Sequence, residues 1–194
     1  MKIICLFASP RKQGNSTKLA KHFLDHAIAA GATVESYYLN DMQMRGCQAC
    51  DACKKSKDYC VVGDDLQPVL KSVETADLLV FATPVYYGDV SAQLKPFIDR
   101  CYSFLKPGYI ALDQPNRLLR PIPLLFILAQ GHRDENAFAD IIPRYQEIFG
   151  WTGFADVIPM RVIDVYHLGD AEKKKPDVFA QLEQMAKEMV NRQM

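Results

Sequence analysis

The segment Asp77-Leu-Leu-Val-Phe-Ala-Thr-Pro84 constrains the fold more than any other part of the chain. From Leu78 to Ala82 it carries no polar side chain. A strand with one wet face alternates apolar and polar residues; a run apolar on both sides belongs in the middle of a covered parallel sheet. Two further runs read the same way, residues 2–8 (KIICLFA) and 123–129 (PLLFILA). Residues 33–39 (TVESYYL) alternate as a half-exposed strand, and residues 154–163 (FADVIPMRVI) form a last strand interrupted by Pro159.

Amphipathic helical patterns separate these runs, near 16–30, 64–76, 91–105, 134–149 and 176–192. Gly31 suits the C-cap of the first, and Asp64 or Asp65 the N-cap of the second. Strict alternation of strand and helix predicts a five-stranded, doubly wound parallel sheet with right-handed crossovers and helices on both faces. With 194 residues and no internal repeat, the chain is expected to form a single domain over 1–194, with a cysteine-rich loop inserted at about 41–63 and a Pro-rich connection at 107–123.

Twenty-three basic residues balance 23 acidic ones, so no net field draws the chain to nucleic acid or to a membrane surface. The apolar run at Ile3–Ala8 is too short for a secretory leader, and no segment has the length to cross a bilayer. The expected location is cytoplasmic, where thiols stay reduced, so the six cysteines need an explanation other than disulfides.

The loop Ser9-Pro-Arg-Lys-Gln-Gly-Asn-Ser-Thr17 joins the first strand to the first helix. Amides at a helix N-terminus favour an anion. Ser9, Asn15, Ser16 and Thr17 add neutral donors, and Arg11 can meet a phosphate with two parallel hydrogen bonds. The loop has neither the Gly-x-x-x-x-Gly-Lys pattern of NTPases nor the Gly-x-Gly-x-x-Gly of dinucleotide sites. Cys5 and Arg11 have the Cys-x5-Arg spacing of small cysteine phosphatases. Cys5 falls inside the strand pattern, however, and Pro10 removes an amide from the cradle. An ordinary capped helix start would also use these residue types.

A second loop, Thr83-Pro-Val-Tyr-Tyr-Gly88, leaves the central strand. Doubly wound sheets bind ligands beyond the carboxyl ends of the strands where the strand order reverses. Tyr86 and Tyr87 offer flat faces to an aromatic ring system, Gly88 allows close approach, and backbone amides can bond the polar edge of a flavin. The competing explanation is a surface loop packing its own aromatics. Cys47-x2-Cys50-x2-Cys53-x6-Cys60 is the third motif. Three thiolates in seven residues suit one iron–sulfur cubane better than zinc, which prefers two separated Cys-x2-Cys pairs. Redox-active thiols near Lys54, Lys55 and Lys57 are the remaining alternative. Cys101 falls in a helical pattern and reads as core.

Ser9-Pro-Arg11, Gly14-Asn-Ser-Thr17, Thr83-Pro-Val-Tyr-Tyr-Gly88 and Ser91-Ala-Gln-Leu-Lys95-Pro-Phe-Ile-Asp-Arg100 together resemble the NAD(P)H-dependent FMN reductase family, and within it the iron–sulfur flavoprotein branch. The resemblance covers most of the first 105 residues. It implies a flavodoxin-like fold, FMN as cofactor, NAD(P)H or another electron donor, a small-molecule or protein acceptor, and homodimers or homotetramers. It further implies that Ser9, Arg11, Asn15, Ser16 and Thr17 hold the FMN phosphate and that Pro84, Val85, Tyr86, Tyr87 and Gly88 hold the ring. Gln130 and Gly131, followed by His132, occupy a third flavin-contacting loop. Cys47, Cys50, Cys53 and Cys60 would ligate a [4Fe–4S] cluster. An FMN-dependent oxidoreductase is the expected function. A non-enzymatic electron carrier is the alternative, although carriers of this kind are usually strongly acidic. A redox sensor built on the cysteine loop is a third.

Overall fold

A computed structural model describes residues 1–192. Its centre is a sheet of five parallel strands, β1 (Lys2–Phe7), β2 (Thr33–Tyr38), β3 (Leu78–Tyr86), β5 (Ile122–Ala129) and β6 (Phe154–Val162). The two-residue β4 (Asp89–Val90) pairs antiparallel with the end of β3. The order β2-β1-β3-β5-β6 puts β3 in the middle, where its Leu78–Ala82 run is fully buried on both sides. With the hairpin strand set aside, this is the 2-1-3-4-5 order of the flavodoxin-like fold.

Strand alternation divides the core into two layers. Ile3, Cys5 and Phe7 of β1 face α1 (Asn15–Ala29) and α7 (Pro176–Asn191). Ile4 and Leu6 face the other side, covered by α3 (Leu66–Val73), α4 (Lys95–Arg100) and α5 (Ile141–Thr152). Phe81 anchors that second layer, meeting Phe97, Phe126, Phe149 and Phe154 edge-on with ring centroids 5.5–6.3 Å apart. Each such aromatic pair adds roughly 0.5–1.5 kcal/mol beyond the burial of its area. No helix among the described residues is long and apolar enough to cross a membrane.

Several local expectations change. Pro159 is tolerated because β6 is an edge strand, and Asp156 at φ 45° is the extra residue of a bulge where the β5–β6 register shifts. The helix expected at 91–105 is only α4, followed by a 3-10 turn at 101–104. The helix expected from 134 begins at Ile141, because Arg161 of β6 takes the Glu135 and Ala137 carbonyls and holds that segment as turns. Neither expected aspartate caps α3 in the usual way. Asp65 accepts from the Gln43 amide, and Asp64, besides accepting from the Leu66 amide, pairs with Arg100. The short helices α2 (Ala52–Lys55) and α6 (Asp170–Lys174) had no signal of their own.

Candidate functional site at the ends of β1 and β3

The chain leaves β1 toward β2 on one side, while β3 lies on the other, so a crevice opens beyond the carboxyl ends of β1 and β3. A cleft of about 400 Å³ occupies it, lined among others by Ser9, Arg11, Asn15, Ser16, Pro84, Val85 and Tyr86. Two of the three loops singled out from sequence therefore meet in one place.

The 9–17 loop is held by its own backbone. The Arg11 carbonyl accepts from the Gly14 amide (2.8 Å) and the Thr17 hydroxyl (3.4 Å), and the Arg11 amide donates to Ser9 Oγ (3.1 Å). Arg11 is exposed at the rim, and among the described residues its guanidinium has no partner. No side chain caps the N-terminus of α1, which leaves its first-turn amides available. Ser16 Oγ is buried in the cleft wall with no hydrogen-bond partner among the described residues. A buried hydroxyl left without a partner is costly, so this atom calls for an acceptor from outside the chain.

Asn15 has a different use. Its amide nitrogen donates to the Val165 (3.0 Å) and His167 (2.9 Å) carbonyls, and its Oδ1 accepts from the Ala171 amide (3.2 Å). Asn15 thus fastens the loop to the chain after β6, and only its backbone amide remains for an anion. Asn15→Ala is expected to destabilise the protein by about 2 kcal/mol, from lost and newly unsatisfied hydrogen bonds, in a urea unfolding measurement. Thr17 is fully buried beneath the loop and does not line the cleft.

The second loop is a hairpin. Val85 pairs with Val90 and Tyr86 with Asp89, and Tyr87 (φ 50°) and Gly88 (φ 83°) form the two-residue turn. Positive φ at both central positions is the I′ geometry that matches strand twist. Asp89 anchors the hairpin by accepting from Tyr145 Oη (3.0 Å) and Arg144 (2.8 Å). Burial would raise the Asp89 pKa, but Arg144, the Val90 amide and Tyr145 outweigh it and hold the carboxyl below the usual range. Of the residues expected to hold a ring, Pro84, Val85 and Tyr86 line the cleft. Tyr87 does not: at 111% relative exposure it projects from the turn into solvent. Gly88 supports the turn from behind and packs against Phe138.

The third wall is only partly the one expected. Gln130 is buried and structural, donating to the His132 and Asp134 carbonyls and accepting from Arg161. Ala129, Gly131 and His132 line the cleft, joined by Val165, Tyr166 and Leu168 from the loop after β6. A Cβ at Gly131 would sit 2.8 Å from the Tyr166 ring, so a larger residue there would push that ring from its place in the wall. Sequence reasoning missed Val165, Tyr166 and Leu168, although that loop also leaves the carboxyl end of a strand. Asp170 shapes it by accepting from the Tyr166 and His167 amides, and the His167 amide together with Lys174 holds the Asp170 carboxyl below its usual range.

Cys47, Cys50, Cys53 and Cys60 line one small pocket, with Arg100 and Tyr102 beneath them. Ala49 and Asp51, at φ 49° and 55°, alternate with the first three cysteines. Left-handed residues of this kind occur in the concave runs of amides found around phosphates and iron–sulfur clusters. Lys54 Nζ lies 3.5 Å from Cys53 Sγ and 3.8 Å from the Tyr102 ring centroid, and burial lowers its pKa. Arg117 donates to the Cys53 carbonyl. Cys5 and Cys101 are buried elsewhere with their thiol pKa values pushed up by burial, so Cys5 is no nucleophile for Arg11 to assist.

Residues 1–140 match the family model for NADPH-dependent FMN reductase. An iron–sulfur flavoprotein of Methanocaldococcus jannaschii is 38% identical over 100 residues, which make up 52% of this chain and 51% of that protein. The match thus spans about half the length of each. An NAD(P)H:quinone oxidoreductase from Methanothermobacter marburgensis superposes with a TM-score of 0.74 at 18% identity over 96% of both chains. An FMN-dependent NADH-azoreductase from Bacillus anthracis, solved in complex with FMN, gives 0.69 at 16% identity over 98% of this chain and all of that one (100%). At these identities the likeness establishes the fold.

Proposed function

Because the chain belongs to the NADPH-dependent FMN reductase family, we propose that it binds FMN in the cleft beyond β1 and β3 and works as an FMN-dependent oxidoreductase. The observation that carries this is Ser16 Oγ, a buried donor without a partner among the described residues, on the uncapped first turn of α1, in a cleft also lined by Arg11, whose guanidinium is likewise unpartnered among them. A phosphate monoester there would satisfy the hydroxyl, the first-turn amides and the cation together. Pro84, Val85 and Tyr86 would hold the ring from one side and Tyr166 and Leu168 from the other. Thr17, Gly88 and Gln130 would act from behind, by fixing the loops. FMN, when bound, supplies hydride acceptance and electron transfer. The chain's part is to bind it, orient it and limit water. NAD(P)H is the proposed donor, and a small molecule or redox protein the acceptor.

Cys47, Cys50, Cys53 and Cys60 would hold a [4Fe–4S] cluster, which carries one electron at a time. The left-handed turns at Ala49 and Asp51 and the cations Lys54 and Arg117 suit its negative charge. We further propose one domain, a cytoplasmic location, and homodimers or homotetramers, for which the exposed Ile110, Leu119 and Trp151 supply apolar surface.

Anaerobic purification with a visible spectrum and iron and sulfide analysis tests both cofactors. Flavin bands with about four irons per chain are expected. Flavin without iron would remove the cluster and leave the reductase, whereas a colourless protein that takes up no FMN would overturn the proposal. Arg11→Ala should weaken FMN about 10–100-fold, the worth of one charge-assisted contact, while riboflavin affinity stays nearly constant. Equal loss of both ligands in a fluorescence titration would show that Arg11 does not meet the phosphate.

A further inference from the structure

On the face of α1 away from the phosphate loop, His22 and His26 stand one helical turn apart, with their rings 4.6 Å centroid to centroid. Glu183 of α7 closes the group, its Oε2 3.5 Å from His26 Nε2. One ligand atom from each of the three lies within 4.8 Å of the others. His22 Nε2 is buried and has no hydrogen-bond partner among the described residues, and the edge of Phe179 covers its ring at 5.1 Å. Lys187 holds Glu183 by Oε1 at 2.6 Å and leaves Oε2 turned toward the imidazoles.

From this geometry we infer a second metal site, taking a zinc-class divalent cation between α1 and α7 through His22, His26 and Glu183. Two imidazoles at i and i+4 present their nitrogens on one helix face, and imidazole with carboxylate is a donor set zinc accepts. Zinc–nitrogen bonds of 2.0–2.1 Å require ligand atoms about 3.3 Å apart. Small side-chain rotations from the present spacing reach that distance. A lone pair on the His22 nitrogen would gain a partner, and the Lys187 contact would keep orienting the carboxylate from behind. A water would complete four-coordination. The site bridges the helix that begins at the phosphate loop to the C-terminal helix, so its role is to brace the packing of α1 on α7, not to do chemistry.

The four-cysteine loop also attracts zinc, so the test uses the FMN-loaded full chain with and without C47S and C50S. Each protein is stripped with a chelator, then titrated calorimetrically with zinc chloride and melted with and without the metal. In the C47S/C50S background we expect one zinc per chain, a rise in Tm on zinc addition, and no response to magnesium chloride. His26→Gln and Glu183→Gln should each weaken zinc at least tenfold and abolish the Tm rise, while FMN affinity and helical circular dichroism stay as in the parent. Glu183 is half-exposed on α7, so its replacement leaves the fold intact and keeps the test free of a folding defect. Zinc uptake confined to the chain with intact cysteines would overturn the inference, as would uptake indifferent to Glu183→Gln.

Discussion

Arg100→Ala is expected to lower the unfolding free energy by about 3–5 kcal/mol, the cost of stranding one partner of a buried ion pair. The Arg100 side chain is fully buried at the end of α4. Its Nη1 donates to both carboxylate oxygens of Asp64, at 2.5 and 2.7 Å, and its Nη2 to the Val62 carbonyl at 2.9 Å. Asp64 also accepts from the Arg45 amide at 2.9 Å. Arg45 precedes the first ligand-type cysteine and Val62 follows the last, so this one guanidinium closes the cysteine loop at its neck. Alanine would leave a buried carboxylate unpaired and free both ends of the loop. Arg100→Lys keeps the charge but not the fork and should recover only part of the loss. Arg100→Met with Asp64→Leu removes both charges and should recover most of it.

The sign of the pH dependence is a second check. Burial alone would raise the Asp64 pKa, but Arg100 and the Arg45 and Leu66 amides outweigh it and hold the carboxyl below its usual range. A depressed carboxyl stabilises the fold above its unfolded pKa, near 3.9, and the contribution fades as pH falls through the folded value. Without Arg100 only the two amides oppose burial, so the carboxyl is held down less and the variant should gain less stability than the parent as pH climbs toward neutrality. The gap between the two proteins in urea midpoint should therefore be wide at pH 7 and narrower near pH 4. A loss below about 1 kcal/mol at neutral pH would place the pair among ordinary surface bridges.

How much of this was legible beforehand depended on whether the determining contact was local. The three central strands stood out because burial on both faces erases polar residues from Leu78–Ala82 and its neighbours, and the edge strands were read from alternation in 33–39 and from the apolar residues of 154–163. Their helical connections then left little choice of topology. The phosphate loop and the hairpin were visible as motifs, and strand order alone explains why they meet. What stayed hidden was set by residues far apart in sequence. Nothing local says that Arg161 will unwind residues 134–140, or that Asn15 will spend its side chain on carbonyls 150 and 152 residues away. Tyr87 has a side chain that suits a flavin face, but its position in a two-residue turn with positive φ, which only the hairpin pairing reveals, places it outside the cleft lining. Val165, Tyr166 and Leu168 carried no motif and entered the site only through the three-dimensional path of the last loop. Arg100 sat in a resemblance motif without disclosing that its partner would be Asp64.

Gly14→Ala should weaken FMN by about 100-fold, close to 2.7 kcal/mol, while the unliganded protein keeps its stability to within about 1 kcal/mol. Glycine is not needed there for its backbone angles: φ −66° and ψ 157° are open to any residue. The constraint is contact. An added Cβ would lie 2.7 Å from Ser9 Oγ and 3.0 Å from the Arg11 carbonyl oxygen. The hydroxyl is held by the Arg11 amide, and the carbonyl is engaged by the Gly14 amide, so neither can swing aside without moving the loop. The effect therefore falls on the amides and the Ser16 hydroxyl that surround the anion. That separates it from Arg11→Ala, which removes a charge but leaves the cradle in place. Ser9→Ala in the same chain deletes the nearer obstacle, and the double variant should regain part of the lost affinity although it has one donor fewer. Flavin fluorescence titrations with FMN and riboflavin read both effects. If Gly14→Ala binds FMN as tightly as the parent, the phosphate does not rest on this loop, and the cleft must hold its ligand by the hairpin and the Tyr166 wall alone.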